Sequence, residues 1–203
     1  MSDSVADPLA DRAASWPVTR SRDLHRDDWI VALREDVITR PDHPEDEFSR
    51  ISLEHPGAVV VLAVDDDERV LCLRQYRHTN QREFVELPAG LRDAAGEPSV
   101  DTARRELQEE AELAATSWQL LLSTFASAGI TEEVHDIFLA RGLSPAPRGD
   151  FEMMHEEAEM EIFWAPMSAL LDAVLDGRVR QGPLAQAVLA YDVVKRRGGL
   201  ESM

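Results

Sequence analysis

The chain has 203 residues, which indicates one domain, or one domain with an appendage. Its 39 acidic residues against 21 Lys and Arg give a formal net charge of −18. Nucleic acids and anionic membranes bind clustered positive charge, so this composition argues against both as partners. Cys72, the only cysteine, lies in the apolar run VLCL, which excludes a disulfide framework and predicts a buried thiol. No apolar run approaches the length that spans a membrane.

The N-terminal part of the chain divides into a polar tail and a strand-rich segment. Residues 1–15 have neither the apolar core nor the basic start of a signal peptide, so we expect a disordered tail and a cytoplasmic protein. Strand-like patterns then run through residues 16–55, and Pro41 and Pro44 mark a turn within them. The three strands are predicted at 16–24, 28–39 and 47–55.

The central and C-terminal segments mix strands with helices. Two apolar, β-branched runs within residues 57–77 are joined at Asp65-Asp66-Asp67 and predict a β-hairpin. A short strand ending in Pro88 follows. Further strands are predicted at 118–127, 134–143 and 161–166, and further helices at about 168–175 and 184–195. This order predicts an α/β sandwich with a mixed sheet between helices.

A helix predicted from Pro98 carries a cluster of acids. At about 100° per residue, one stripe of this helix is apolar and packs inward. Glu106, Glu109 and Glu110 fall within a neighbouring arc, and Arg105 can brace Glu109 at i+4. A hard divalent cation with oxygen ligands would turn the mutual repulsion of three carboxylates into a binding site. A solvated acidic helix face is the alternative. The stripe consists of Val100, Ala103, Leu107 and Ala111.

The residues around this cluster resemble the signature of the Nudix hydrolases. The sequence departs from that signature twice: six residues instead of five separate Gly90 from Glu97, and Glu112 replaces the last glycine. If that last position is left-handed, a residue other than glycine there costs on the order of 1 kcal/mol. The matching positions are Gly90, Glu97, Arg105, Glu106, Glu109 and Glu110, with aliphatic Leu107 and Leu113.

The resemblance extends over roughly residues 28–196 and looks closest to the actinobacterial type of the ADP-ribose pyrophosphatase branch. The segments RQYRHT, ELPAGL, SAGITEE and HEEAEM carry it. It implies an α-β-α sandwich with a mixed sheet, a Nudix hydrolase domain at 56–198, and N-terminal strands at 16–55 that are exchanged in a homodimer. The active site would be completed across that dimer interface.

The resemblance also implies a metal site. Its ligands would be the Ala89 carbonyl, Glu106 and Glu110, with Glu109 reaching a second or third ion and Glu159 adding a ligand. Ligation by oxygen alone suits Mg²⁺ or Mn²⁺. The six histidines are scattered, and each is interpreted as a surface or turn residue. His78 and His155 adjoin the matching motifs and stay open as site contacts.

Substrate contacts follow from the same resemblance. Arg50 and Arg77 match residues that grip phosphates and the terminal ribose, which suits the planar guanidinium fork. Glu133 matches a contact to that ribose. Trp29, or a residue beside it, either stacks on adenine from the partner subunit or is an interface or core tryptophan. Leu91, Ser127 and Gly129 complete the expected substrate-binding set.

Glu157 matches the general base of the resembling enzymes, although Glu156 and Glu159 reach the same space. A separate base makes chemical sense because carboxylates that bind metal are poor proton acceptors. The implied reaction is hydrolysis of ADP-ribose to AMP and ribose 5-phosphate. The alternatives are another nucleoside diphosphate sugar as substrate, or a non-catalytic module that senses ADP-ribose. The intact glutamates and the charge of −18 argue against the sensing module.

Overall fold

A computed structural model describes residues 9–149 and 151–199, apart from the side chains of 156 and 157, and its contacts divide the chain into two units between Glu54 and His55. The predicted tail lies partly outside the described residues, and its described part, residues 9–15, is exposed. Among the helices in the described ranges, none combines the length and the apolarity needed to cross a membrane.

The first unit contains a three-stranded antiparallel sheet, as the sequence predicts. The turn between its last two strands lies at Pro41 and Asp42, because Arg40 pairs with His43. Asp42 takes the left-handed conformation there (φ 64°), and Pro44 already belongs to the next strand. The strands are β1 (Val18–His25), β2 (Ala32–Arg40) and β3 (His43–Glu54).

Within its described residues, the second unit contains two sheets and three α-helices. One sheet has the strand order β7-β4-β9-β8 and the other β10-β5-β6. Strand β4 is parallel to β9 and antiparallel to β7, so the predicted mixed sheet is confirmed. The strands are β4 (Ala58–Ala63), β5 (Arg69–Arg77), β6 (Arg82–Glu86), β7 (Ala89–Leu91), β8 (Leu113–Phe125), β9 (Val134–Pro145) and β10 (Glu161–Pro166), and the helices are α1 (Ser99–Ala111), α2 (Met167–Leu175) and α3 (Gly182–Arg196).

The predicted hairpin between β4 and β5 is wrong. The turn exists, since the Asp65 carboxylate accepts hydrogen bonds from the backbone N–H groups of Asp67 (3.0 Å) and Arg69 (2.8 Å). Beyond one bridge between Val64 and Val70, however, the two strands enter different sheets. Both runs are largely buried, so neither shows the apolar–polar alternation that would identify its partner.

Helices cover both faces of β4, which gives the predicted α-β-α sandwich. On one face, Val59 and Val61 pack with Leu107 of α1. On the other, Val60 and Leu62 pack with α2 and α3. Cys72 is buried on this second side, as predicted, and burial raises the pKa of its thiol to about 12. The sandwich fixes α1 beside β7, with which it is in contact.

The C-cap of helix α1 is Glu112, the residue that replaces the last glycine of the signature. Glu112 is left-handed (φ 55°, ψ 39°), and its N–H donates to the Gln108 carbonyl at 3.0 Å. The Arg148 guanidinium donates to the carbonyls of Glu109 and Glu110 in the same turn. These hydrogen bonds satisfy carbonyl groups that a helix end would otherwise leave without partners.

The left-handed conformation makes Glu112→Gly a stabilising change. Removing the side chain relieves the backbone strain, so the free energy of unfolding should rise by about 1 kcal/mol in chemical denaturation. Glu112→Gln is the matched control, because it removes only the negative charge beside the helix C-terminus. A Glu112→Gly protein no more stable than Glu112→Gln would contradict the assignment of strain to this position.

Candidate active site

Two buried carboxylates face the β7 backbone. Glu106 and Glu110 lie one turn apart on α1, with exposed fractions of only 8% and 6%. The Glu110 Oε2 atom accepts a hydrogen bond from the Ala89 N–H at 3.0 Å. A solvated acidic helix face is therefore the wrong interpretation for these two residues.

Gly90 provides the space in which the Glu106 carboxylate lies. A Cβ atom built on Gly90 would stand 2.1 Å from Glu106 Cδ and 2.1 Å from Oε1. Any side chain at position 90 would therefore displace the carboxylate. The φ angle of Gly90 is not positive, so its backbone conformation does not require glycine. What requires glycine here is the close approach of the carboxylate.

Arg105 joins the carboxylates of α1. Its Nη1 atom lies 2.9 Å from Glu106 Oε1 and 3.2 Å from Glu109 Oε2, so the predicted brace on Glu109 is confirmed. Nη2 lies 3.8 Å from Glu97, whose carboxylate also accepts from the Thr102 hydroxyl at 2.7 Å. Burial alone would lower the Arg105 pKa, but the surrounding carboxylates raise it above its ordinary value.

The donor set fits a hard divalent cation. Glu106 and Glu110 present carboxylate oxygens beside the Ala89-Gly90 backbone, which suits Mg²⁺ or Mn²⁺. Within the described ranges, the His, Cys, Asp and Glu side chains form no ready group of three for an ion. Glu110 points to the Ala89 amide, while Glu106 and Glu109 share Arg105. Because a carboxylate has two oxygens that can each accept more than one bond, these contacts are compatible with binding of a cation.

Arg77 is held by a residue that the sequence analysis missed. Its Nε and Nη2 atoms donate to the two carboxylate oxygens of Glu86 at 3.0 and 2.7 Å. The Glu86 side chain is only 3% exposed, whereas that of Arg77 is 47% exposed. The feature of the sequence that could have identified Glu86 is its position as a single carboxylate in the otherwise apolar segment FVELP.

Glu133 is held by a buried histidine. The His135 Nε2 atom lies 2.9 Å from Glu133 Oε1, and this hydrogen bond lowers the pKa of the Glu133 carboxyl against the effect of burial. His135 is only 9% exposed, so its interpretation as a surface or turn residue is wrong. The Nδ1 atom of His55 lies 3.7 Å from the same carboxylate oxygen. The same nitrogen lies 3.1 Å from the backbone nitrogen of Gly57, which donates a hydrogen bond to it.

The other predicted site residues belong to several different elements. Leu91 ends β7, and Ser127 and Gly129 are exposed between β8 and β9. Trp29 (66% exposed) and Arg50, whose guanidinium lies 4.4 Å from the Phe48 ring centroid, belong to the first unit.

The loop before β10 carries the remaining predicted residues. It contains a short 3-10 helix, His155–Glu159, in which His155 and Glu159 are exposed. The side chain of Glu157 lies outside the described part of the chain. His78, the other histidine left open, is also exposed.

Comparison with known proteins identifies the family to which this site belongs. Residues 53–187 match a family model described as a NUDIX domain. The chain belongs to the Nudix family of hydrolases. It is 40% identical over 165 residues to an ADP-ribose pyrophosphatase of Mycobacterium tuberculosis, an alignment that covers 81% of this chain and 78% of that protein.

A second relative and a solved structure are also similar to this chain. An ADP-ribose pyrophosphatase of Bacillus subtilis is 39% identical over 92 residues, covering 45% of this chain and 49% of that protein. A crystal structure described as an ADP compounds hydrolase superposes with a TM-score of 0.72 over 94% of this chain and all of that one, at 17% identity. The structural match supports the Nudix fold.

The approach of Glu106 to Gly90 in this Nudix site predicts a selective effect of Gly90→Ala. The new methyl group can be accommodated if the flexible end of Glu106 moves, so the protein should still fold. Displacing that carboxylate by an ångström or more should lower hydrolytic activity by about 100-fold. Activity assays and thermal denaturation together would separate the two effects.

Gly182→Ala is the matched control. A Cβ at Gly182 would meet no described atom within 4 Å, and its φ is not positive. It should leave activity unchanged. Equal activity of the two alanine variants would show that the space at Gly90 is not required.

Proposed function

We propose that this Nudix hydrolase cleaves the diphosphate of ADP-ribose to AMP and ribose 5-phosphate with Mg²⁺ or Mn²⁺. The observation that carries the proposal is the pair of buried carboxylates, Glu106 and Glu110, against the Ala89-Gly90 backbone. The choice of ADP-ribose is supported by the 40% identity with an enzyme that is named for this substrate.

Each expected site residue has a chemical task in this reaction. Water attacks one phosphorus of the diphosphate, the bond from that phosphorus to the bridging oxygen breaks, and a base takes the proton from the water. A divalent cation held by Glu106, Glu110 and the Ala89 carbonyl, with Glu109 and Glu159 as further ligands, would neutralise charge on the phosphate oxygens. Arg77 and Arg50 orient the phosphates through their guanidinium forks.

The terminal ribose and the adenine of the substrate would be held by a separate set of residues. Glu133, kept ionised by its hydrogen bond with His135, accepts hydrogen bonds from the terminal ribose. Leu91, Ser127 and Gly129 line the space around it, and Trp29 stacks on the adenine. Specificity for adenine and ribose therefore rests on residues outside α1.

Glu157 is proposed as the base because the loop that carries it is hydrogen-bonded, at its start after β9, to the helix that carries the carboxylates. The Ala146 N–H donates to the Glu112 carbonyl at 2.9 Å, and Gln108 Nε2 donates to the Pro147 carbonyl at 2.7 Å. Arg148 bonds the carbonyls of Glu109 and Glu110. The start of the loop is thus fixed to the last turn of α1.

The activity is tested by incubating the protein with Mg²⁺ and ADP-ribose and separating the products by anion-exchange chromatography. AMP and ribose 5-phosphate in equal amounts are expected. The corresponding UDP and GDP sugars serve as competitors, because another nucleoside diphosphate sugar is the alternative substrate. Tight binding of ADP-ribose without any product would instead favour the sensing module.

The base assignment predicts different kinetics for two neighbouring variants. Glu157→Gln should lower kcat by about 10²–10⁴-fold with little change in KM, because a general base acts mainly in the transition state. Glu159→Gln should instead raise the Mg²⁺ concentration needed for half-maximal rate. A near-normal kcat for Glu157→Gln, together with a metal-independent loss of kcat in Glu156→Gln or Glu159→Gln, would show that Glu157 is not the base.

We also propose that the protein is a homodimer that exchanges its N-terminal strands. The first unit has one three-stranded sheet, and every residue of β1 is exposed. Large exposed apolar residues are unfavourable in water and are typical of interfaces. Those of this unit with at least 38% of their area exposed include Trp16, Val18, Leu24, Trp29, Ile30 and Ile51.

Val18→Asp tests this assembly. Val18 is 55% exposed, so the change should leave an isolated chain folded, but it would bury an unpaired charge in a dimer. Sedimentation should show a dimer for the native protein and a shift towards monomer for this variant. The control Val18→Thr keeps the β-branched shape and should stay dimeric. A monomeric native protein that still hydrolyses ADP-ribose would refute the proposal.

A further inference from the structure

Glu133 and His135 form a pair in which a loop carboxylate is bonded to a histidine inside a sheet. His135 is only 9% exposed, and its Nε2 atom lies 2.9 Å from the Glu133 Oε1 atom. Glu133 precedes β9, whereas His135 belongs to that strand. We propose that His135 is a positioning residue that holds the Glu133 carboxylate in the orientation that accepts hydrogen bonds from the terminal ribose.

His135 lies in the interior of the four-stranded sheet. Strand β9 lies between β4 and β8, and His135 pairs with Ala58 on one side and with Thr124 on the other. Because Ala58 also pairs with Leu91 of β7, two strand spacings, roughly 10 Å, separate the backbones of His135 and Leu91. The pair therefore shares a sheet with the Ala89-Gly90 backbone, close enough for one substrate molecule to reach both.

The main chain of Glu133 is fixed as well as its side chain. Its N–H donates to the Thr131 hydroxyl at 3.1 Å, and its carbonyl accepts the Ala126 N–H at 2.9 Å. The side-chain torsions are then the main freedom that remains, and the bond to His135 restricts them. A flexible side chain loses rotamer freedom when it binds a ligand, so a restraint that exists before binding lowers this cost.

The chemistry of the pair makes Glu133 an acceptor for hydroxyl groups. An ionised carboxylate can only accept hydrogen bonds, so the proton of this contact is carried by Nε2 of His135. The contact lowers the pKa of the Glu133 carboxyl, which keeps the group ionised at neutral pH. A carboxylate offers about four acceptor positions, and 22% of the Glu133 side chain is exposed, so sugar hydroxyls can share it with the imidazole.

The other ring nitrogen of His135 argues against a role in packing alone. Nδ1 is buried, and among the described residues it has no hydrogen-bond partner. A buried polar atom in this state is unfavourable, and an apolar side chain at position 135 would avoid the cost. The contact with Glu133 is therefore the feature that a histidine provides here and an apolar residue does not.

This inference rests on the proposed contact between Glu133 and the terminal ribose, and it predicts a loss that depends on the ligand. His135→Leu removes the donor, so the KM for ADP-ribose should rise by about 10- to 100-fold, with little change in kcat. ADP, which lacks the terminal ribose, should inhibit the native protein and the variant with the same inhibition constant. A residue that only stabilises the fold would affect both ligands.

Two polar replacements separate positioning from packing. A glutamine side chain can place its amide nitrogen near the position of Nε2, whereas asparagine is one carbon shorter and cannot. His135→Gln should therefore keep most of the affinity for ADP-ribose, and His135→Asn should lose it. Thr124→Val is the matched control on the paired strand, because it removes a hydrogen bond to Gln186 (3.1 Å) and should change neither constant.

Glu133→Gln completes a double-mutant cycle with His135→Leu. It should raise the KM for ADP-ribose, and His135→Leu should add little to that effect, because the two residues act as one unit. Additive effects in the double variant, or a normal KM in His135→Leu or His135→Asn, would overturn the inference. If His135→Leu is unfolded in thermal denaturation, the comparison of His135→Gln with His135→Asn decides.

Failure of the proposed function would give a different result. Absence of ADP-ribose hydrolysis by the native protein would refute the proposed function and the inference together. If the native protein hydrolyses ADP-ribose but Glu133→Gln weakens ADP-ribose and ADP equally, Glu133 has no specific contact with the terminal ribose. The inference would then be overturned while the hydrolytic function stands.

Discussion

The rest of the structure depends on one constraint, the burial of the Glu106 and Glu110 carboxylates beside the backbone of β7. Two like charges in so small a space are unfavourable unless hydrogen bonds and cations compensate them. The Ala89 N–H and the Arg105 guanidinium supply part of that compensation. The packing of Leu107 on β4 holds the helix in place from another side. The two carboxylates therefore stay close together in the folded protein although they repel each other.

The acidity of the chain shapes how an anionic substrate can be bound. A net charge of −18 repels phosphates at long range, so attraction has to come from a few placed cations. Arg105 contacts the carboxylates of α1, and Arg77 donates two hydrogen bonds to the Glu86 carboxylate. In the proposed function, divalent cations and arginine forks together offset the repulsion between a carboxylate-rich site and a diphosphate.

Local patterns in the sequence predicted much of the fold. The apolar stripe of α1, the helices near the C-terminus and the three N-terminal strands are all observed. The departure at Glu112 left the conformation of the helix end open, and the structure has Glu112 in the left-handed conformation. The hairpin prediction failed because β4 and β5 are buried on both faces, and the choice of sheet partner depends on segments far away in the chain.

The candidate site was predictable to a similar extent. Spacing on one helix predicted that Glu106, Glu109 and Glu110 lie together, and the structure adds that Glu106 and Glu110 are buried. Glu86 and His135 were missed because their importance comes from contacts with Arg77 and Glu133, which only the folded chain creates. The proposed roles of Trp29, Arg50 and Glu157 are contacts with bound substrate or water. The spacing of residues in the sequence does not determine where these molecules lie.

The most direct measurement of the central claim is Mn²⁺ binding, followed by electron paramagnetic resonance, for the native protein and the Glu106→Gln/Glu110→Gln variant. Because removing even an outer partner of a metal ligand weakens affinity by about 10- to 100-fold, loss of the two proposed ligands should weaken it by at least about 100-fold. Glu112→Gln, just beyond the same helix, should bind Mn²⁺ normally. Equal Mn²⁺ affinity in the native protein and the double variant would contradict the account.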